Sequence, residues 1–275
     1  MNRQFSLAHL TVMALPPPAM IYVAARAGYD CVSLRTMCMH LPGEPDYGLA
    51  ASPELRAQTR RALQTTGIRL HDVELARVSD GIDPAGYVPE LEVAAELGAR
   101  AVLSSIWTND RAFAIDTFGK ICDLAKPLGL TVDLEAVPIA AVNNLTTTLE
   151  VLRAVARDNA GLMIDTHHFH RARDDPAALD AVPRHWFHFA QICDAPAAIP
   201  ADRDEMTHIM REARLYLGEG GIDVAAILRH LPDVPYSIEL PNLDCVREFG
   251  YAEHAFRCLE SAKAYIAAHS EALAT

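Results

Sequence analysis

No stretch of the 275-residue sequence is low in complexity, and its seventeen prolines and fourteen glycines are ordinary for that length. Disordered and fibrous classes are thereby excluded. A run of about 18 apolar residues is also missing, so no membrane span and no membrane partner are predicted. The segment from Met1 to Ser6, running through His9 into Pro16-Pro17-Pro18, lacks the apolar core and small-residue cleavage site of a secretory signal. The six cysteines (Cys31, Cys38, Cys122, Cys193, Cys245, Cys258) form no C-x-x-C pair and sit among apolar neighbours, as reduced core cysteines do. A cytoplasmic protein is the expectation. Positive charge is in deficit: 24 basic residues face 36 acidic ones, for a net charge of −12. Short basic groups such as Arg56/Arg60/Arg61 and Arg171/Arg173 are diluted by acids in the manner of solvated helix faces, so no nucleic-acid partner is expected.

What is present is a core-forming composition, 51% hydrophobic, and a repeating unit. Helical patterns end in glycine and a short apolar run follows, at Gly28, Gly67, Gly98, Gly129 and Gly161, with spacings of 39, 31, 31 and 32. Glycine just past a helix end adopts the left-handed conformation that satisfies the last carbonyls. A strand following at this period is the βα unit of a parallel sheet. Eight strands are predicted, over 4–10, 31–35, 68–74, 100–104, 130–135, 161–165, 187–192 and 235–239. Between them Phe118, Ile121, Cys122 and Ala125 repeat with helical period. No G-x-G-x-x-G follows the first strand, which removes the dinucleotide-binding open sheet. The expected architecture is an α/β fold, a (β/α)8 TIM barrel formed by residues 1–275 as one domain.

In such a barrel reactive groups come from the C-terminal strand ends. The last four predicted strands end in Glu135, Asp165, Gln191 and Glu239. A single glutamate at a strand end is ordinarily a solvated or ion-paired residue; four successive oxygen donors argue for a site. Three converging carboxylates without a cation would repel one another. Carboxylates plus a neutral amide suit a hard divalent cation: Mg2+, Mn2+ or Co2+.

The motifs Leu134-Glu135, Ile164-Asp165-Thr166-His167-His168, Gln191-Ile192-Cys193-Asp194-Ala195-Pro196, Gly218-Glu219-Gly220-Gly221-Ile222-Asp223 and Ser237-Ile238-Glu239 occur in an order that resembles the xylose-isomerase-like sugar isomerase/epimerase barrels. The resemblance covers nearly the whole chain. It implies that Glu135, Asp165 and Glu239 bind the metal and that Glu135 and Glu239 act as the acid/base pair. Many members carry histidine where Gln191 stands. Glutamine there is similar to the hydroxypyruvate isomerase and 3-dehydroshikimate dehydratase branches. The resemblance also implies that His168 and Arg214 face the substrate. An imidazole there can donate to a substrate oxygen or shuttle a proton, and a guanidinium can grip vicinal oxygens or a carboxylate.

Other residues carry two readings. Arg35 and Glu74, at the ends of strands two and three, either line the mouth and select substrates or pair with each other. His9, near the end of strand one, is a further mouth candidate. His188 has opposite parity to Gln191 and is expected to face the helical layer. Asp194 either orients a ligand or forms an Asx turn before Pro196. The charged stretch 196–221 reads as a lid, Glu219 as a turn residue, Trp186 as packing, and Trp107 as packing or a pocket wall.

The chemistry that needs this arrangement is proton abstraction next to a carbonyl. A keto-sugar or hydroxy-keto acid would form an enediolate, and two bases would isomerise or epimerise it. Three alternatives stand beside it: a metal-dependent lyase expelling a β-hydroxyl, a histidine-rich phosphodiesterase disfavoured by the acidic charge, and a non-catalytic sugar-binding barrel. Pairing into a homo-oligomer is compatible with all of them.

Overall fold

The computed structural model describes residues 3–41 and 43–273, so Met1 and Asn2 of the N-terminal segment lie outside the described residues. Eight strands, β1 (Phe5–Ala8), β2 (Cys31–Arg35), β3 (Arg69–Val78), β4 (Ala101–Ile106), β5 (Thr131–Glu135), β6 (Ala160–Asp165), β7 (Phe187–Ile192) and β8 (Tyr236–Ile238), alternate with helices, the first four being α1 (Pro17–Ala27), α2 (Pro53–Thr66), α3 (Val88–Glu96) and α4 (Arg111–Ala125). They close into one parallel barrel in sequence order, with β8 returning to β1 through the register Leu7↔Ile238. The eight strands fall where the apolar runs lie, with two differences. β1 stops at Ala8, and His9 opens a 3-10 turn. β3 does not end at Glu74 but continues to Val78, so Glu74 sits inside the strand.

Alternation along the strands divides the interior in two. Val32, Leu34, Val132, Leu134, Leu162, Ile164, Ala190, Ile192, Tyr236 and Ile238 join one continuous core shared with the helices. Inside the ring Leu75, Ala101, Leu103, Met163 and Phe189 form a separate apolar plug.

Gly28, Gly67, Gly98 and Gly129 follow helices with φ of 93°, 74°, 91° and 73°, as their spacing predicts. Gly161 is a correction. The preceding helix α5 (Leu145–Val155) is capped by Ala156, and Gly161 lies inside β6. A Cβ there would come within 2.1 Å of Asp133 Oδ1 and 2.5 Å of His188 Nδ1. His188 is the second correction. The register of β7 against β6 shifts between Leu162 and Ile164, where three steps on β7 match two on β6. The extra residue turns the imidazole onto Asp133, Nδ1 to Oδ1 at 2.6 Å, rather than into the helical layer.

The long 196–221 stretch folds into helix α7 (Arg203–Glu212) and a turn. Asp194 is the post of that turn, its carboxylate accepting the backbone N–H groups of Ala195, Gly218, Gly220 and Ile222. This is not the Asx turn expected before Pro196, which has no N–H to close one: the carboxylate braces the distant 218–222 turn instead. Among the described residues no helix is long and apolar enough to cross a membrane.

Candidate active site

The site begins where β6 stops. Asp165 is both its last residue and the N-cap of the short helix α6 (Thr166–Arg171). One carboxylate oxygen accepts the N–H groups of His167 at 2.7 Å and His168 at 3.1 Å. That cap starts the helix at once and sets the two imidazoles edge to face beside Asp165, their Nδ1 atoms 3.2 Å apart and His168 Nε2 3.8 Å from Asp165 Oδ2.

Arg214 is 1% exposed, and its guanidinium bridges two of the expected ligands. Nη1 lies 2.7 Å from Asp165 Oδ2 and Nη2 lies 3.0 Å from Glu239 Oε2. Nη1 also donates to the Glu239 carbonyl at 3.1 Å, and Nε donates to the Met210 carbonyl at 2.8 Å. Short antiparallel bridges, Asp194 with Leu215 and Ala213 with Asn242, hold the backbone on either side of this arginine.

Glu239 directly follows β8, and its Oε1 accepts from Gln191 Nε2 at 3.3 Å. The Gln191 carbonyl Oε1 is buried without a donor. Glu135, at the end of β5, has a buried carboxylate that takes neither a hydrogen bond nor an ion pair from the described residues. Arg35 and Glu74 pair with each other at 3.5 Å, and Arg35 also reaches Glu44 at 3.9 Å. Both Glu74 oxygens lack a hydrogen-bond donor. His9 does not reach the mouth. It is buried, accepting the Arg35 N–H on Nδ1 and donating from Nε2 to the Leu15 carbonyl, and so fixes the end of β2.

These groups surround a cavity of about 320 Å³ at the C-terminal end of the barrel. Glu74, Glu135, His168, Arg214 and Glu239 line it; Trp107, Met210 and Tyr251 form apolar walls; Asp165 and Gln191 lie outside the lining. Charge is unevenly compensated. Burial, then the neighbouring Glu239 and Asp165, pushes Glu135 well above the carboxylate range. Burial raises Glu239 to about 8 against the pull of Arg214. Burial works on Asp165 too, but Arg214 and the two imidazoles hold it below the ordinary range. Burial lowers His168 to about 4, so its imidazole is neutral at pH 7.

The residues fit a divalent cation in kind and in charge. Four acids (Glu74, Glu135, Asp165, Glu239) meet two guanidiniums (Arg35, Arg214), and the Gln191 oxygen is a buried acceptor without a donor. Among the described residues, however, the acidic and imidazole groups close enough to share an ion are Asp165, His167 and His168, with ligand atoms within 4.8 Å of one another. Glu135 and Glu239 stand outside that group, and Arg214 fills the gap between Asp165 and Glu239. Nitrogen donors beside a carboxylate widen the choice of metal toward zinc.

Residues 21–262 match the family described as xylose isomerase-like TIM barrel. The chain belongs to that family. Similarity to inosose isomerase of Bacillus subtilis (strain 168) is 28% identity over 155 residues, 54% of this chain and 52% of that protein. The chain thus matches about half the length of that relative. Inosose isomerase of Bacillus velezensis (strain DSM 23117 / BGSC 10A6 / LMG 26770 / FZB42) is 24% identical over 256 residues, covering 86% and 85% of the two chains. A solved structure of IOLI protein with a binding zinc atom superposes with a TM-score of 0.78 at 21% identity, over 96% of this chain and 98% of that one. The polar residues of this chain gather at the C-terminal strand ends, where a TIM barrel of any family carries its reactive groups.

Sequence reasoning missed Glu44, whose Oε2 accepts from the backbone of Met39 and Leu41 and so shapes the loop over Arg35. No periodicity marks such a loop. It also gave His167 no role, although the pair His167-His168 behind a capping aspartate is a signal a closer reading of caps would use.

Proposed function

We propose that this xylose isomerase-like barrel is a divalent-metal-dependent isomerase or epimerase of a keto-sugar, with cyclic keto-polyols such as inosose, the substrate named for its relatives, as first candidates. The observation that carries the reading is that Glu135 and Glu239, from strands three apart around the ring, are both buried and both open onto one cavity. Carboxyls raised toward neutrality accept a proton and give it back with little free-energy difference. One glutamate removes the proton beside the substrate carbonyl, and the other delivers it to the neighbouring or the same carbon. Glu135, Asp165, Gln191 and Glu239 would hold the cation with Arg214 withdrawn from between Asp165 and Glu239; with Arg214 in place, Asp165, His167 and His168 are the groups near enough to share one. A bound divalent ion would supply Lewis-acid stabilisation of the negative charge that develops on the substrate oxygen.

The remaining residues hold and orient. His168, neutral at pH 7, hydrogen-bonds a substrate oxygen. The unsatisfied oxygens of Glu74 accept substrate hydroxyls, while Arg35 pins that carboxylate. Arg214 orients Asp165 and Glu239 at the substrate's edge.

Incubation with keto-polyols, keto-sugars, hydroxypyruvate and 3-dehydroshikimate in D2O tests the reading. Deuterium is expected at the carbon beside the carbonyl, in wild type but not in Glu239→Gln, with circular dichroism of the variant unchanged. Full turnover by Glu239→Gln would remove this residue from the mechanism. A product absorbing in the ultraviolet would favour the dehydratase alternative.

A further inference from the structure

The guanidiniums that the sequence offers for gripping an anion, Arg35 and Arg214, are already engaged: Arg214 by Asp165 and Glu239, and Arg35 by Glu74 and Glu44. Two others, one lining the cavity and one behind its wall, are not. Arg211, on the last turn of α7, lines the cavity and makes no ion pair among the described residues. Arg77, near the end of β3, lies with its guanidinium carbon 4.1 Å from the ring centroid of Trp107, an indole that also lines the cavity. Its Nε is buried without an acceptor. The indole is fixed in turn, donating from Nε1 to Ser105 Oγ at 3.0 Å.

The acids nearby are committed elsewhere. Glu44 pairs with Arg35 and accepts the backbone of Met39 and Leu41, while Glu212 pairs with His208 along α7 at 3.2 Å. Arg77 and Arg211 are also close enough that the charge of Arg211 adds to burial in lowering the basicity of Arg77. Two half-buried like charges, one lining the cavity and the other stacked on an indole that lines it, with no ion pair of their own among the described residues, are poised for an anion from solution.

We propose that Arg211 and Arg77 form an anion subsite at the rim of the cavity, beside Trp107, which takes a carboxylate or phosphate group carried by the substrate away from its reacting carbonyl. The identity of the reacting end rests on the proposed isomerase reading; the subsite itself does not. Within the proposed isomerase reading, such a subsite favours an anionic keto-sugar, either an acid or a phosphate ester, over an uncharged keto-polyol such as inosose. Arg211 forks onto the oxygens, and Arg77, held by its stacking, supplies field and a second donor.

Binding tests the subsite without turnover, so its failure is separable from failure of the isomerase reading. The chain has two tryptophans, so Trp186→Phe leaves Trp107 as the sole indole reporter. In that background, fluorescence and calorimetric titrations with malonate, with inorganic phosphate and with uncharged glycerol are compared. At least one of the two anions is expected to bind saturably, with glycerol giving no such response. Arg211→Gln and Arg77→Gln should each weaken it about tenfold or more, the loss expected for a charge-assisted hydrogen bond. Circular dichroism confirms that both variants are folded. Whether malonate or phosphate binds more tightly then names the source of the anionic group. Absence of saturable anion binding by both methods, or binding that both glutamine variants leave unchanged, overturns the proposal.

Discussion

Arg214 holds the whole positive charge between Asp165 and Glu239 on one fully buried guanidinium, through contacts of 2.7 and 3.0 Å. Removing one partner of a buried ion pair costs far more than the pair contributes net, because the remaining charges stay buried and unpaired. Arg214→Met is therefore expected to lose about 3–5 kcal/mol of folding stability in metal-free protein. Added Mn2+ should restore part of the melting temperature by supplying the missing charge. A variant as stable as wild type without metal would show that the two carboxylates need no such neutralisation. Arg214 was legible as a residue of the site from its motif. Its role as a bridge between two carboxylates was not, because 49 and 25 positions of chain separate it from Asp165 and Glu239.

At the level of elements, β5, β6 and β7 meet in a place where packing overrides local rules. Gly161 is the second residue of β6, inside a strand, where glycine is disfavoured. It is tolerated because Asp133 and the displaced His188 fill the space a side chain would take. Gly161→Ala is expected to cost about 1–3 kcal/mol, as overpacking does in a tight interior. Combining it with Asp133→Ala should recover part of that loss, and chemical denaturation of the three variants checks it. Additive effects would mean that the two positions do not touch. The strand itself was plain from its apolar run. The bulge that turns His188 inward was hidden, since it arises from the mismatch in register between neighbouring strands.

For the whole molecule, buried ionisable groups give stability two slopes against pH. Burial lowers His9, His71 and His168 to about 4 from an ordinary 6.5. Each such group contributes stability that is fully present above pH 6.5 and is lost as pH falls toward 4, by at most about 3 kcal/mol per imidazole. Glu239 runs the other way: with its carboxyl raised from 4.5 to about 8, stability is lost as pH rises through that interval. Glu135 is shifted in the same direction. Calorimetry in EDTA is expected to show the highest melting temperature near pH 6.5, where the imidazole limb ends and the carboxyls alone act, with a fall on either side. Divalent metal should flatten the alkaline side. A profile without an acid limb would mean that the imidazoles are accessible when folded.

The sequence alone determined the barrel, because the alternation of apolar strands with helical patterns, four of them closed by glycine, is local and recurs round all eight strands. It also determined which strand ends carry acids, since the C-terminal edge of a parallel barrel collects them whatever the loops do. Only the tertiary structure decided how those acids are compensated. Whether an arginine bridges two carboxylates, stacks on an indole or faces a cavity unpaired depends on side chains brought together from distant strands and loops. Coulomb energies between them change steeply over a few ångströms that no spacing in the chain encodes.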